Sequence, residues 1–247
     1  MIDPVAASGF GGQADAYERG RPSYPTEAVE WLVDGLAIGP GRRVLDIGAG
    51  TGKLTRMLVA TGAELVAVEP VAAMRAQFAA VLPDVEMLVG TAEAIPLPDA
   101  SVHAVVAAQA FHWFDPSPAL TEIARVLRPR GGLGMVWNER DESVPWVAEL
   151  TRIIHWDERQ PYKVGTDWRA VIAADGRFGT IEREKFSFDQ TVDSERLVER
   201  VTSTSYIAAM TPEERAPIVA QTRALVAGFP ETFVLPYVTD AYRCHLI

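Results

Sequence analysis

Along residues 26–139, segments with a helical spacing of apolar residues alternate with short continuous apolar runs. Apolar residues three and four apart predict helices that begin at Thr26, span 53–61, carry Met74 and Phe78, and span 120–127. Short apolar runs predict buried strands at 42–50, 64–70, 85–90, 102–111 and 132–138. Single helices between successive strands indicate a parallel sheet with right-handed crossovers and helices on both faces.

Residues with special backbone preferences mark the ends of these elements. Thr26 is a suitable N-cap for the first helix, which ends at Gly39 and Pro40. Gly62 directly follows the helix over 53–61, and glycine commonly ends a helix in this way.

The alternation ends after Asn138. Helices are predicted at 144–156, 193–207 and 212–227, and strands at 178–189 and 232–247. Pro236 lacks the amide that a sheet ladder needs, so we expect the final strand to lie at an edge or to carry a bulge. The chain therefore predicts an α/β fold with one mostly parallel sheet of seven strands and a helical cap over its ligand-binding end.

The segment VLDIGAGTG (44–52) carries the strongest chemical signal. Gly48, Gly50 and Gly52 lie between a predicted strand and a predicted helix, where they let the backbone approach a ligand closely. A dinucleotide would place its pyrophosphate here, near the carboxylate of Asp46. At ~4 Å and an effective dielectric near ~20, that carboxylate would oppose the pyrophosphate by roughly 4 kcal/mol. S-adenosylmethionine (SAM) carries cations and no phosphate, so the loop favours SAM.

A second acidic residue, Glu69, ends the second predicted strand. A carboxylate at this place can accept hydrogen bonds from the ribose hydroxyls of NAD or of SAM. Met74, one turn into the next helix, is placed either to lie against an adenine or to fill the core. Both residues predict the nucleoside half of a site beside the glycine loop.

The charge balance limits the partners. The 247 residues carry 23 Lys and Arg against 33 Asp and Glu, for a net charge of −10, which argues against a nucleic-acid substrate. A single cysteine, Cys244, and the lack of close histidine pairs predict no disulfide and no metal site. No apolar run is long enough to cross a bilayer and the first residues do not resemble a secretion signal, so we expect a cytoplasmic protein without a membrane partner.

Four ordered segments together resemble a known family. They are VLDIGAGTG, VAVEP with Met74, GTAEAIPLPDASVHAV (90–105) and ALTEIARVLRPRGGLGMVW (119–137). In this order and spacing they look like class I SAM-dependent methyltransferases of the type 11 group. The resemblance implies a Rossmann-like fold, SAM as cofactor and methyl transfer as the activity.

Two further segments resemble a narrower branch that includes trans-aconitate methyltransferase-like proteins. They are FGGQADAYERGRPSYP (10–25) and QAFHWFD (109–115). The branch implies that the N-terminal segment folds over the cofactor with Tyr17, Arg21 and Tyr24. We therefore divide the chain into a lid segment at 1–25, a SAM-binding core at 26–139, and cap helices with the last strands at 140–247.

The resemblance also assigns roles to individual residues. Asp46, Gly48 and Gly50 would hold the methionyl part, and Glu69 would hold the ribose. Ala92 and Glu93 would lie at the adenine edge, and Gln109 near the methionyl group. The full set of expected cofactor contacts adds Ala49, Gly52, Pro70, Met74, Thr91, Tyr17 and Arg21. Thr91 departs from the pattern, because relatives often have an aspartate there that bonds the adenine amino group.

Methyl transfer from a sulfonium requires alignment above all, and a base only if the acceptor must lose a proton. His112 follows the fourth predicted strand and is the candidate catalytic residue, although a ring between Phe111 and Trp113 fits a packed, positioning role equally well. We expect a small-molecule acceptor, either a carboxylate or a hydroxyl compound. A monomer and a homodimer are both compatible with the sequence.

Several alternatives stay open at this point. They are a nucleotide-dependent oxidoreductase, a SAM-binding module without catalysis, and an RNA or protein methyltransferase. Large side chains at 140–176 and 193–228 are expected either to form an apolar lid over the site or to bury a helix face or a dimer contact: Trp146, Trp156, Trp168, Tyr206 and Met210.

Overall fold

The computed structural model of the protein describes residues 20–155 and 167–247. In the first part of the chain, helices and strands alternate. In order they are α1 (Thr26–Gly35), β1 (Arg43–Ile47), α2 (Lys53–Leu58), β2 (Glu64–Val68), α3 (Ala72–Val81), β3 (Glu86–Leu88), β4 (Val102–Ala108), α4 (Pro116–Val126) and β5 (Leu127–Arg140). A 3-10 turn, Val59–Thr61, extends α2 as far as Gly62, and a second one, Phe111–Trp113, follows β4.

The second part carries the cap helices and the last two strands. Its elements are α5 (Pro145–Ile153), α6 (Trp168–Asp175), β6 (Glu182–Val192), α7 (Ser194–Thr202), α8 (Ser205–Ala208), α9 (Pro212–Leu225) and β7 (Phe233–His245). Helix α6 was not predicted, and β5 begins five residues before the predicted strand because the exposed segment Arg128–Arg130 continues it.

All the strands join in one sheet of seven with the order β3-β2-β1-β4-β5-β7-β6. The first five strands pair in parallel, and β7 runs antiparallel to both of its neighbours. The mostly parallel Rossmann-like fold is therefore confirmed.

The expectation that the final strand lies at an edge is wrong, because β7 lies between β5 and β6. The ladder explains why Pro236 is tolerated there. The ladder between β5 and β7 begins, along β7, at Tyr237, which pairs with Arg140. Pro236 therefore lies one position outside that ladder. Its carbonyl accepts a hydrogen bond from the amide of Asp141. The expected capping role of Thr26 is also wrong, because Pro25 occupies the N-cap position and the helix has no side-chain cap.

Successive residues of the strands point to opposite faces of the sheet, and each face has its own apolar core. In β1, Leu45 and Ile47 pack with α4 and α6, whereas Val44 packs with α1 and α2. A third cluster lies in the cap, where α5, α7 and α9 pack on the extended ends of β6 and β7.

One of the expected lid residues has another place. Trp168 is buried in the core with α4, where its ring stacks on Trp137 at 5.7 Å between centroids, so it is not part of a lid. Trp146, Tyr206 and Met210 do belong to the cap cluster. Trp156 lies outside the described residues. Within residues 20–155 and 167–247, none of the helices has the length and apolar character that crossing a bilayer requires.

Candidate active site

A cleft of about 970 Å³ lies where the chain leaves β1, β2 and β4. In a parallel sheet these carboxyl ends meet at one edge, where loops from different strands converge on a ligand. This volume includes the open mouth of the cleft, so a small molecule can enter it from solvent.

The cleft brings together most of the predicted cofactor residues. Those that line it are Gly48, Ala49, Gly50, Glu69, Pro70, Met74, Thr91, Ala92, Glu93 and Gln109. Asp46, Gly52 and His112 do not line it, although they lie on the same loops or directly beside them. Arg21 lines a smaller neighbouring pocket instead. Tyr17 falls outside the described residues.

The glycine loop turns sharply away from β1. Gly48 has a φ of 68° and donates its amide to the carbonyl of Val68 at 2.8 Å. A Cβ at Gly48 would lie 2.8 Å from the Cβ of Ala110, so no larger residue fits. At Gly50, with a φ of 57°, a Cβ would meet no atom within 4 Å, because this position faces open space. A ligand can therefore approach the backbone of this loop.

Glu69 ties the loop to the end of β2. Its carboxylate accepts hydrogen bonds from the amides of Gly50 at 3.0 Å and of Val71 at 2.8 Å. Burial raises the pKa of this carboxyl, although the two amides and the Arg75 guanidinium act in the opposite direction. A carboxylate has about four lone-pair positions, so Glu69 retains acceptor capacity for ligand hydroxyls.

Asp46 lies behind the loop. Its side chain is 3% exposed, and one oxygen accepts a hydrogen bond from the Thr55 hydroxyl of α2 at 2.5 Å. The other oxygen, Oδ1, is buried and has no hydrogen-bond partner. Burial raises the pKa of the Asp46 carboxyl to about 7, with Thr55 opposing the shift and nearby Glu69 adding to it. This buried acid gains most from a cation nearby, which fits the sulfonium and ammonium groups of SAM.

Gln109, the residue after β4 that lines the cleft, has an unusual backbone. Its φ is 52°, a conformation that costs a non-glycine residue of order 1 kcal/mol or more. Its side-chain amide donates to the carbonyl of Asn138 at 2.8 Å. Asn138 in turn donates to the carbonyl of Ser23 at 2.7 Å and accepts from the Thr239 hydroxyl at 2.6 Å. The network fixes Gln109 between β4 and the N-terminal segment.

Two short segments form the side of the cleft that the family resemblance assigns to the nucleoside. Met74 of α3 is buried and lines the cleft. Glu93 accepts a hydrogen bond from the amide of Asp115 at 3.0 Å, which joins it to the start of α4. Thr91, at the unusual position, forms an isolated bridge with Ala94 and lines the cleft as well.

His112 is held by a tryptophan of the sheet. The indole Nε1 of Trp137 donates to Nδ1 of His112 at 3.1 Å. In this arrangement Nδ1 is the acceptor, so we assign the proton of the neutral ring to Nε2. The nitrogen lone pair that a base would use is thereby engaged with Trp137. The geometry fits a positioning role better than a basic one.

Tyr24 was expected to help close the site, and it lines the cleft while it packs among the side chains of α1 and α2. Other lining residues were missed from the sequence. Lys53, Trp113 and Phe114 line the cleft too. Aromatic residues next to His112 were visible in the sequence, but nothing there distinguished a lining ring from a core ring.

Comparisons with known proteins identify the family. Residues 45–135 match a family model described as a methyltransferase domain. Over 242 residues the chain is 44% identical to the uncharacterized methyltransferase Rv3342 of Mycobacterium tuberculosis, across 96% of this chain and 95% of that protein. This chain belongs to the SAM-dependent methyltransferases. The family resemblance drawn from the sequence is confirmed, and SAM is the cofactor.

A second relative and a solved structure are also similar to this methyltransferase. It is 34% identical to the uncharacterized methyltransferase-like protein C25B8.10 of Schizosaccharomyces pombe, over 93% of this chain and 90% of that one. A solved structure assigned as a type II methyltransferase, from Anaeromyxobacter dehalogenans, has a TM-score of 0.65 at 26% identity, covering 91% of this chain and 97% of that chain. The narrower resemblance to trans-aconitate methyltransferases stays a prediction.

The described residues fit SAM. The position at Gly50 that faces open space lets a ligand contact the loop backbone, and the buried Oδ1 of Asp46 lacks a partner. No group of three or more histidine, cysteine or acidic side chains suited to a metal ion occurs in residues 20–155 and 167–247.

Proposed function

We propose that this methyltransferase transfers the methyl group of SAM to a small-molecule acceptor that enters the cleft beside Gln109. The observation that supports the proposal most is the position of Gln109, which belongs both to the cleft and to a second, smaller pocket. An acceptor with one of its groups in that pocket would lie next to the cofactor.

The residues have separate tasks in this proposal. The backbone of Gly48, Ala49 and Gly50 holds the methionyl part, with the Asp46 charge behind it. Glu69 accepts the ribose hydroxyls, and Met74, Ala92 and Glu93 surround the adenine. Bound SAM supplies an electrophilic methyl group on a sulfonium. The protein then has to hold the acceptor in line with the methyl group and keep water out.

His112 orients the acceptor side of the site through its contact with Trp137. The hydrogen bond between the two rings fixes the loop that follows β4, and thereby the backbone of Gln109. A proton acceptor on the protein is unnecessary when the atom that takes the methyl group has no proton to lose, and His112 then contributes alignment alone.

A binding experiment tests the cofactor half. We expect SAM and its demethylated product S-adenosylhomocysteine to bind with micromolar affinity in isothermal calorimetry. NAD should give no binding heat, because the Asp46 carboxylate opposes a pyrophosphate at the glycine loop. Binding of NAD without binding of SAM would overturn the assignment of the cleft.

A labelling experiment tests the acceptor half. The protein is incubated with methyl-labelled SAM and either the low-molecular-mass filtrate or the macromolecular fraction of a bacterial extract. We expect labelled product in the filtrate, and none with Glu69→Ala protein as control. Label confined to the macromolecular fraction would show that the acceptor is a protein or a nucleic acid.

A further inference from the structure

The smaller pocket beside the SAM cleft is strongly basic. The two pockets share Tyr24, Lys53 and Gln109. The lining of the smaller one, drawn from the described residues, includes the cations Arg21, Lys53 and Arg200 and no carboxylate. In a chain with a net charge of −10, this concentration of positive charge indicates a specific anionic ligand.

Arg200 is the most informative of these cations. It lies on α7 between the buried residues Leu197 and Val201, and it is itself only 5% exposed. Its Nε donates to the Tyr237 hydroxyl at 3.1 Å, while its Nη1 is buried and has no hydrogen-bond partner. Within the described parts of the chain, no ion pair involves Arg200. A buried guanidinium is costly unless an opposite charge lies close to it.

A second arginine adds to the positive charge. Arg140, the last residue of β5, lies near Arg200; it is partly exposed, but its Nε is buried, and burial together with the charge of Arg200 lowers the pKa of Arg140 to about 10. The two guanidinium groups repel each other, so an anion at Arg200 would relieve the repulsion.

The surroundings hold Arg200 in place for a ligand. The Tyr237 hydroxyl that accepts from Arg200 donates to Gln190 of β6 at 3.2 Å. Gln190 donates to the carbonyl of Gly20 at 3.3 Å, and a Cβ at Gly20 would lie 2.9 Å from the backbone nitrogen of Arg200. The N-terminal segment at Gly20 therefore packs directly against the backbone of Arg200. Such preorganisation lowers the entropy that is lost on binding.

We propose that Arg200, together with Arg21 and Lys53, binds an anionic group of the methyl acceptor, either a carboxylate or a phosphate. The inference rests on the proposed function, because it defines the chemical class of the same acceptor. Guanidinium groups suit both anions, since their parallel N–H donors match two oxygens. The anion serves as the anchor, and the methyl group goes to a different atom of the acceptor, because oxygens that accept from guanidinium groups are weaker nucleophiles.

Calorimetry with simple probes tests the proposal. The full chain, saturated with S-adenosylhomocysteine, is titrated with succinate, with inorganic phosphate and with the neutral succinamide. We expect at least one of the anions to bind, and succinamide not to bind. The comparison of succinate with phosphate shows which anion the pocket prefers. Arg200→Gln should weaken anion binding roughly tenfold to hundredfold, because charge-assisted hydrogen bonds are lost.

Three variants control for folding and for general charge effects. Arg200→Lys keeps the charge and should retain part of the affinity. Tyr237→Phe removes the hydroxyl that orients Arg200 and should cause a smaller loss. Arg223 of α9 forms an exposed ion pair with Glu195 of α7. Arg223→Gln makes the same change there and should bind anions like the wild type.

The outcomes distinguish a failure of the anion pocket from a failure of the proposed methyltransferase function. If neither anion binds the wild type, or if Arg200→Gln binds them unchanged, the anion pocket is wrong. Equal binding of succinamide and succinate would overturn it too. If S-adenosylhomocysteine itself fails to bind the wild type, the proposed function fails first.

Discussion

Buried charge has opposite signs on the two sides of the active site. On the cofactor side, Asp46 and Glu69 are carboxyl groups with 3% and 6% exposure. On the cap side, Arg200 is similarly buried, and Arg140 lies beside it. The acids lie on the sheet and the arginines lie at its junction with the cap helices, so the two sets are held by different parts of the fold.

The contrast shows why neither set pairs with the other. An ion pair between them would neutralise both charges and leave nothing for a ligand. Kept apart, the acids favour a cationic cofactor and the arginines favour an anionic acceptor. Burying these charges lowers the free energy of unfolding of the ligand-free protein, and such a loss of stability is common at functional sites.

The largest expected effect tests the acidic side. Glu69→Ala should weaken SAM binding by roughly 2–4 kcal/mol, about 30-fold to 1,000-fold in Kd, because charge-assisted hydrogen bonds to the ribose and to two loop amides disappear. Titration calorimetry measures the loss. The matched control is Glu64→Ala at the other end of β2, where the side chain is exposed and pairs with Arg43. Equal affinities of Glu69→Ala and wild type would place the ribose elsewhere.

A second prediction concerns stability on the same side. Asp46 has a pKa near 7 in the folded protein instead of its ordinary 3.8, so between these values the folded state keeps a proton that the unfolded state has lost. The free energy of unfolding therefore falls as pH rises through this window, and it stays lowered above it. Asp46→Asn removes the effect and should raise the free energy of unfolding above neutral pH by roughly 2–4 kcal/mol.

Urea denaturation at several pH values checks the Asp46 prediction. The difference between Asp46→Asn and wild type should shrink as pH falls and approach its lowest value below about pH 3, where the unfolded state also holds the proton. A difference that does not change with pH would mean that Asp46 stays ionised in the folded protein.

The smallest effect concerns the boundary between the two regions, at His112. His112→Gln retains an acceptor for the Trp137 indole, so we expect less than about a tenfold loss in kcat and no change in the pH profile. His112→Leu leaves that buried donor unsatisfied and should lower the free energy of unfolding by roughly 1–3 kcal/mol. Thermal and urea denaturation compare the two variants. A pH-dependent loss above about a hundredfold in His112→Gln, with SAM affinity intact, would identify a base instead.

The cofactor side was largely predictable from the sequence, because local signals encode it. Glycines at the strand-to-helix turn and an acid at the end of each of two strands lie within one short stretch of chain. In a parallel sheet, such strand ends necessarily meet at one edge. The Rossmann-like fold and the cleft follow from these signals.

The basic side could not be predicted, because contacts between distant segments create it. Arg200 reaches Tyr237 and the segment at Gly20 only after the cap helices have packed. Its spacing of three residues from Leu197 placed it on the apolar face of a helix, and this was a usable signal. The interior position of β7 was equally hidden, since it depends on where one ladder ends beside Pro236.

The position of β7 has a consequence for the order in which the protein can assemble during synthesis. Among the strands that the structure describes, β6 has β7 as its only neighbour, yet β7 is made after it and after the helices α7, α8 and α9. While the ribosome is still adding residues before 233, β1 to β5 can already pair, but β6 has no strand to join. The cofactor cleft can therefore form early, whereas the pocket around Arg200 has to wait for Tyr237 to emerge.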